Sequence, residues 1–252
     1  MLRFALNLSF IFFVLFLGFS QVNKTDAQGK KQGSWKKFYP NTQVLQYEGQ
    51  FLNNQPIGEF RYYYPTGKVK AVLQHEKNTK KTAAWFYFEN EQIMSEGSYS
   101  DMKKDAVWIN YAPEGFIVSK ESYLNDKLNG PRIAYYLEGQ EEDAPKILNT
   151  ALYKDSLLDG AFTAYFSNGK VMQSGKYLAG QKIDIWSSYH PNGALNSTER
   201  YKQGKLHGWI MSYDQEGTQI SKILFNLGEK LMGEELDKYL ENCTKKGIDP
   251  NE

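Results

Sequence analysis

Gly160-Ala161-Phe162-Thr163-Ala164-Tyr165-Phe166-Ser167-Asn168-Gly169 is followed 24 residues later by Asp184-Ile185-Trp186-Ser187-Ser188-Tyr189-His190-Pro191-Asn192-Gly193. A further 24 residues on stands Gly208-Trp209-Ile210-Met211-Ser212-Tyr213-Asp214-Gln215-Glu216-Gly217. The three stretches align without a gap, and a fixed internal period is read before any other signal because it decides the architecture. Working outward, units open at Gly33, Gly58, Ala83, Ala106, Gly130, Gly160, Asp184 and Gly208, at spacings of 25, 25, 23, 24, 30, 24 and 24 residues.

The columns hold together. Two positions after each start stand Trp35, Phe60, Trp85, Trp108, Arg132, Phe162, Trp186 and Ile210. Five after, every unit has an aromatic: Phe38, Tyr63, Phe88, Tyr111, Tyr135, Tyr165, Tyr189 and Tyr213. Nine after, six units have glycine: Gly67, Gly115, Gly139, Gly169, Gly193 and Gly217. Late in the units come Phe51, Tyr99, Tyr123, Tyr153, Tyr177, Tyr201 and Phe225.

Each column has a physical meaning. In His190-Pro191-Asn192-Gly193 proline presets one turn residue and glycine accepts a positive φ, the chemistry of a turn between antiparallel strands. Gly67, Gly115, Gly139, Gly169, Gly193 and Gly217 are therefore assigned as structural turn residues. A second reversal falls between the late aromatic and the next start, so each unit is two strands of about six residues. No stretch between turns shows a 3.6-residue apolar stripe. The expectation is an all-β, elongated, single-layer antiparallel meander of eight hairpins. About sixteen strands would extend it by roughly 75 Å. Rings two and five positions after the start differ by an odd number, so they project to opposite faces. One ring column should pack between hairpins as a ribbon core and the other stay partly exposed.

Gly160…Tyr165…Asn168-Gly169…Tyr177…Gly180 and its counterparts in the last two units resemble the MORN-repeat variant family, over residues 33–230. That resemblance implies tandem β-hairpins, and roles as scaffolds, partner-binding platforms or membrane-associating surfaces. Some members carry an antitoxin-like label, which an export signal does not suit. Ala83, Gln92 and Arg132 depart from the pattern, marking units 3 and 5 as the places for irregularity.

The ends differ from the middle. Arg3 precedes an apolar run from Phe4 to Phe19, interrupted by Asn7 and Ser9, and Gly18-Phe19-Ser20 offers small residues for cleavage. Residues 1–20 read as an export signal, with a second cleavage point after Ala27; an uncleaved anchor is the rival reading. Residues 21–32 are expected to be a flexible lead-in, 33–232 the repeat domain, and 233–252 a helix and tail. Leu236, Tyr239, Leu240 and Cys243 fall at i, i+3, i+4 and i+7, the stripe of a helix that caps the last hairpin, as terminal repeats require. A partner-docking helix is its rival. Cys243 is the single cysteine, so no disulfide forms within the chain.

Function classes are bounded by charge and motif. Removing residues 1–20 takes Lys+Arg from 30 to 29 against 29 Asp+Glu, a balance that argues against nucleic acid. His75, His190 and His207 lie in different columns and form no metal-ligand set. Glu138-Gly139-Gln140-Glu141-Glu142-Asp143 lacks the spacing of a calcium loop and reads as a solvated hairpin loop. No catalytic motif occurs, and informative residues recur in every unit instead of converging once. The reading is a non-catalytic, cofactor-free, metal-free, exported module in the cell envelope. Its partner is a protein segment, or a glycan, along the aromatic column Trp35, Phe60, Trp85, Trp108, Phe162 and Trp186. The competing view makes that column the core. Anionic lipid is the alternative partner, through Lys30-Lys31, Lys36-Lys37, Lys80-Lys81 and Lys103-Lys104.

Overall fold

The computed structural model of the protein describes residues 21–138 and 145–252. The export-signal reading, Gly139 and the acidic run Glu141–Asp143 lie outside the described residues. Among the described residues, nineteen strands form one sheet. Strands adjacent in the chain pair antiparallel from Lys24–Thr25 to Glu229–Leu231, giving the expected single-layer meander. Three strands exceed the expected sixteen. Two are the short terminal ones, and the third arises because His207 splits Lys205–Leu206 from Gly208–Tyr213.

Two turn types alternate. At one end of the hairpins Gly67, Gly115, Gly169, Gly193 and Gly217 have φ of 83–92°. Each donates its N–H to the carbonyl three residues back, as from Gly67 to Tyr64 at 2.9 Å and from Gly193 to His190 at 2.8 Å. The ladder shifts register beside each such turn, the left-handed bulge that matches strand twist. At the other end the reversals are tighter than expected, with two residues between the paired strands. Asn53-Asn54, Asp101-Met102, Asn125-Asp126, Asp155-Ser156, Ala179-Gly180, Gln203-Gly204 and Leu227-Gly228 all have positive φ at both positions. That is the hairpin turn whose twist suits its strands.

Units lock to their neighbours through side chain to backbone bonds at both ends. Lys104 N–H donates to Asp126 Oδ1 at 2.6 Å, and Lys31 N–H to Asn54 Oδ1 at 2.7 Å. At the proline end, Tyr39 and Tyr64 hydroxyls donate to the carbonyls of Tyr63 and Tyr87, both at 2.7 Å. Asn168 and Asn192 amides reach Pro191 and Gln215 carbonyls at 3.0 and 3.2 Å.

The unit starts are bulges. Gly58, Ala106 and Asp184 have φ of 65°, 60° and 58° within strands. Three residues there oppose one on the previous strand, as Gly58–Phe60 oppose Gly49. The extra residues turn Phe60, Trp108 and Trp186 onto one face, here the ring face. Within the strands, every buried side chain except Leu224 lies on that face, including Ala71, Ala84, Ser119, Ala134 and Ala164.

Unit 3 corrects the sequence columns. Its left-handed turn residue is Glu91, φ 70°, donating to the Phe88 carbonyl at 2.9 Å, so the unit opens at Thr82 and Tyr87 occupies the fifth position. Strands Val69–His75 and Lys81–Tyr87 pair without any register shift. A one-residue difference exchanges faces, so Trp85 points to the second face, opposite Val72 and Glu96. Unit 3 is thus the unit without a start bulge, whereas unit 5 keeps one between Leu128 and Arg132.

The lead-in is also corrected: residues 21–32 are folded back on the first long strand. Thr25 and Lys24 pair with Lys31 and Gln32, and the Asn23 side chain occupies both the N–H and the carbonyl of Lys36, at 2.8 and 3.0 Å. Those contacts blunt an edge that would otherwise pair with another chain. At the far end the helix Gly233–Lys246 shields only Leu236, Tyr239, Leu240 and Cys243. Its tail returns to the sheet, where Asn251 Oδ1 accepts from Trp209 N–H at 3.0 Å and Glu252 O accepts from Lys202.

Candidate binding surfaces

The column expected to meet a ligand divides. Phe60, Trp108 and Trp186 are 2%, 1% and 1% exposed and belong to the core. Trp35 and Phe162 are half-buried on the same face, and Trp85 is half-buried on the other. A single exposed ribbon of these six rings therefore does not form.

Burial on a single-layer sheet needs explanation, and glycine supplies it. The Trp108 ring lies on Gly97, Trp186 on Gly175 and Phe60 on Gly49. Tyr99 meets Trp108 edge-on at 5.0 Å, and Tyr177 meets Trp186 likewise at 4.9 Å. The indole N–H groups are satisfied by the Ser98 and Lys176 carbonyls at 3.0 and 3.1 Å. An ammonium lids both tryptophan stacks, Lys104 at 4.3 Å over Trp108 and Lys182 at 4.1 Å over Trp186, and in the first unit Lys31 sits 4.6 Å over Trp35. Each lidding lysine also covers the unit's late aromatic, at 4.7–5.0 Å. Burial of such a ring contributes roughly 2–3 kcal/mol, and a partly desolvated cation over it about 1 more. The glycines two residues before the late aromatic went unread in the sequence, although their column, Gly49, Gly97 and Gly175, is visible there.

Unit 5 replaces this arrangement by charge. Glu121 occupies the glycine position and Arg132 the ring position, paired at 3.1 Å. Glu121 also accepts from the Tyr123 and Ser119 hydroxyls at 2.8 and 3.1 Å. Burial pushes its carboxyl up, but these bonds together with Arg132 hold it below the usual value.

The second face is the one left uncovered. Its first half neutralises itself. Lys36 pairs with Glu48 at 3.2 Å and Arg61 with Glu59 at 2.6 Å. The Tyr63 hydroxyl donates to Glu48 at 2.6 Å and Tyr111 to Glu96 at 2.8 Å. Burial and those carboxylates push both phenols up to about 12. One lysine of each basic pair expected to meet lipid is engaged, with Lys31 and Lys104 over rings, Lys36 on Glu48, and Lys80 on Asp101 at 2.9 Å.

The later half differs. Thr150, Thr163, Ser174, Ser187 and Thr198 oppose one another on five successive strands, continued by Met211 and Lys222. Beside this hydroxyl row stand Lys176 and Arg200, neither of which makes an ion pair or side-chain hydrogen bond among the described residues. Two adjoining hollows, about 560 and 360 Å³, share Ile185 and Arg200. The smaller is also lined by Thr198, Glu199, Trp209, Met211, Lys222 and Asn251. Thr198 Oγ1 is buried without a hydrogen-bond partner among the described residues. No group of three or more His, Cys, Asp or Glu that could hold a metal occurs among the described residues.

Comparison with known proteins agrees with the repeat columns. The MORN repeat variant family matches at residues 56–77 and 158–179, within units 2 and 6. Those two repeats are of that type, and such repeats generally serve as protein- or membrane-binding modules. No curated protein matches the chain. Among solved structures, a mutant of S. aureus TarM in complex with fondaparinux, alpha-GlcNAc-glycerol and UDP is similar at 15% identity. The match covers 50% of this chain and 19% of that one, with a TM-score of 0.22, and carries no argument.

Proposed function

We propose that the protein is an exported, non-catalytic repeat protein that binds another protein and acts as a scaffold in the cell envelope. The observation that carries this reading is the division of labour between faces. One face spends its rings on the core, while the second presents rows of side chains, strand after strand, with the C-terminal helix and tail at one end. A surface of that kind suits an extended partner, whereas catalysis favours one concave site with converging groups. Export rests on the Phe4–Phe19 run behind Arg3.

Protein is preferred to anionic lipid because one lysine of each basic pair, Lys31, Lys36, Lys80 and Lys104, is held by a ring or a carboxylate. The test is affinity capture of the full chain from an envelope extract of its own host, with chemical crosslinks mapped to residues. Crosslinks on the second face support the reading. Crosslinks confined to the ring face, pelleting with anionic vesicles in place of protein capture, or retention of residues 1–20 with a cytoplasmic location would each overturn part of it.

A further inference from the structure

Building on that reading, we propose that the later half of the second face binds an extended acidic peptide whose carboxylates recur every third residue, seated at Lys176 and Arg200. Three independent features of the surface meet there.

The first is uncompensated charge. On the same face Lys36 and Arg61 are each paired to a carboxylate within 3.2 Å, whereas Lys176 and Arg200 are not. The acids near them are Asp184, which also lines the larger hollow, and Asp249 of the tail, whose lowered pKa carries only a minor contribution from Arg200. Glu199 also lines the smaller hollow, its carboxylate accepting from the Tyr201 hydroxyl at 2.8 Å. Lys222 sits 4.3 Å over Trp209 and brings a third cation to the smaller hollow.

The second is spacing. Ser174 and Lys176 stand one repeat before Thr198 and Arg200, so the two cations lie two strands apart, about 9.6 Å. A polyproline II chain rises about 9.3 Å per turn of three residues, bringing every third side chain to the same side. A peptide lying across the strands thus places acids at i and i+3 over Lys176 and Arg200.

The third is the mixed lining. Between the cations Ile185 is 49% exposed, and Met211 and Trp209 line the adjoining hollow. An apolar side chain between two acids fits that pattern, whereas an acidic polysaccharide has none to offer. The Ser174 and Ser187 side chains, opposite each other on the same face, offer hydroxyls to the peptide backbone.

The probe is a capped peptide repeating glutamate, proline and leucine, titrated calorimetrically into the full chain. Controls are its glutamine counterpart, a peptide of equal composition with the glutamates two residues apart, and polygalacturonate. The expected result is binding at least about tenfold tighter than either control peptide, weakened about tenfold or more by Arg200→Glu and by Lys176→Glu. Arg61→Glu on the paired half leaves it within about twofold. Far-UV circular dichroism checks that each variant remains β-folded, and Arg200→Gln, which keeps the stem, serves where charge reversal unfolds the chain. Equal binding of the two spacings, binding of polygalacturonate alone, no binding of any probe, or indifference to Arg200→Glu and Arg200→Gln overturns the proposal. If Arg200→Glu still captures the envelope partner through the second face, this site is wrong while the protein-binding function stands.

Discussion

Gly97 and Trp108 form a pair that leaves no room for a side chain: a Cβ on Gly97 would lie 2.4 Å from the indole. The same holds for Gly175 with Trp186 at 2.2 Å and Gly49 with Phe60 at 2.5 Å. A single-layer sheet can bury a ring only if the backbone beneath it is bare and neighbours close around it. The start bulge supplies the two extra residues that lay the ring down, and the glycine supplies the floor. Gly97→Ala is therefore expected to cost about 2–3 kcal/mol by overpacking. Thermal unfolding and near-UV circular dichroism of the indoles read it. An unchanged melting temperature with unchanged indole signals would show that Trp108 is not seated on Gly97.

The lidding lysines make a smaller contribution. Lys104 lies 4.3 Å from the Trp108 centroid and 4.8 Å from that of Tyr123, so Lys104→Met keeps the apolar stem and removes only the charge. The expected loss is about 0.5–1 kcal/mol, measured by urea unfolding. A variant as stable as the parent would mean that the ammonium is solvated and contributes nothing.

Met102 occupies a left-handed turn position, φ 63°, with 69% of its surface exposed. A residue with a Cβ is disfavoured there by about 1 kcal/mol, and aspartate followed by glycine is a preferred pair for this turn. Met102→Gly should raise stability by up to about 1 kcal/mol, offset in part by the greater freedom of glycine in the unfolded chain. A melting temperature that falls would show the turn to be of another type.

The phenols of the second face give a pH test of its first half. Tyr63 and Tyr111 donate to Glu48 and Glu96, and burial and those carboxylates place their ionisation at about 12. Absorbance titration at alkaline pH should show a late-titrating class that shrinks in Glu48→Gln and Glu96→Gln. Early titration of every tyrosine would contradict the pairing.

How far the sequence could be read depended on the range of each signal. The Pro-x-Gly turns are local, so Gly67 and Gly193 announce their positive φ without help from the fold. The opposite turns were harder to see, because asparagine, aspartate, serine, methionine and alanine fill positions usually marked by glycine. Unit 3 misled because Gln92 lies one residue beyond the true left-handed position, Glu91, and the aromatic pair Tyr87-Phe88 fits either register. Faces were least legible, since a one-residue shift in where a unit opens reverses its side chains, and the columns do not show that unit 3 opens at Thr82. Lys176 and Arg200 look like scattered charges in the sequence; only pairing Ile185 with Arg200 and Ser174 with Ser187 puts them on one surface.

Unit 5 tests whether a charged pair can stand in for a ring on glycine. Arg132 and Glu121 are 28% and 15% exposed, so removing one partner strands a largely desolvated charge. Arg132→Ala should cost about 1–3 kcal/mol near neutral pH. The Glu121 carboxyl is held below its usual value, so its contribution is present above the unfolded pKa and lost as pH falls through the folded one. In Arg132→Ala that acid loss should begin at higher pH. The double change Glu121→Gly with Arg132→Trp recreates the arrangement of Gly97 with Trp108 and is expected to be at least as stable as the parent, because well-packed apolar residues often replace buried ion pairs without loss. Unfolding curves for all three proteins from about pH 3 to about pH 7, spanning the carboxylate range at about pH 4, decide the matter. If the double variant is less stable than Arg132→Ala alone, the pair is specific to the surroundings of unit 5 and is no substitute for the ring.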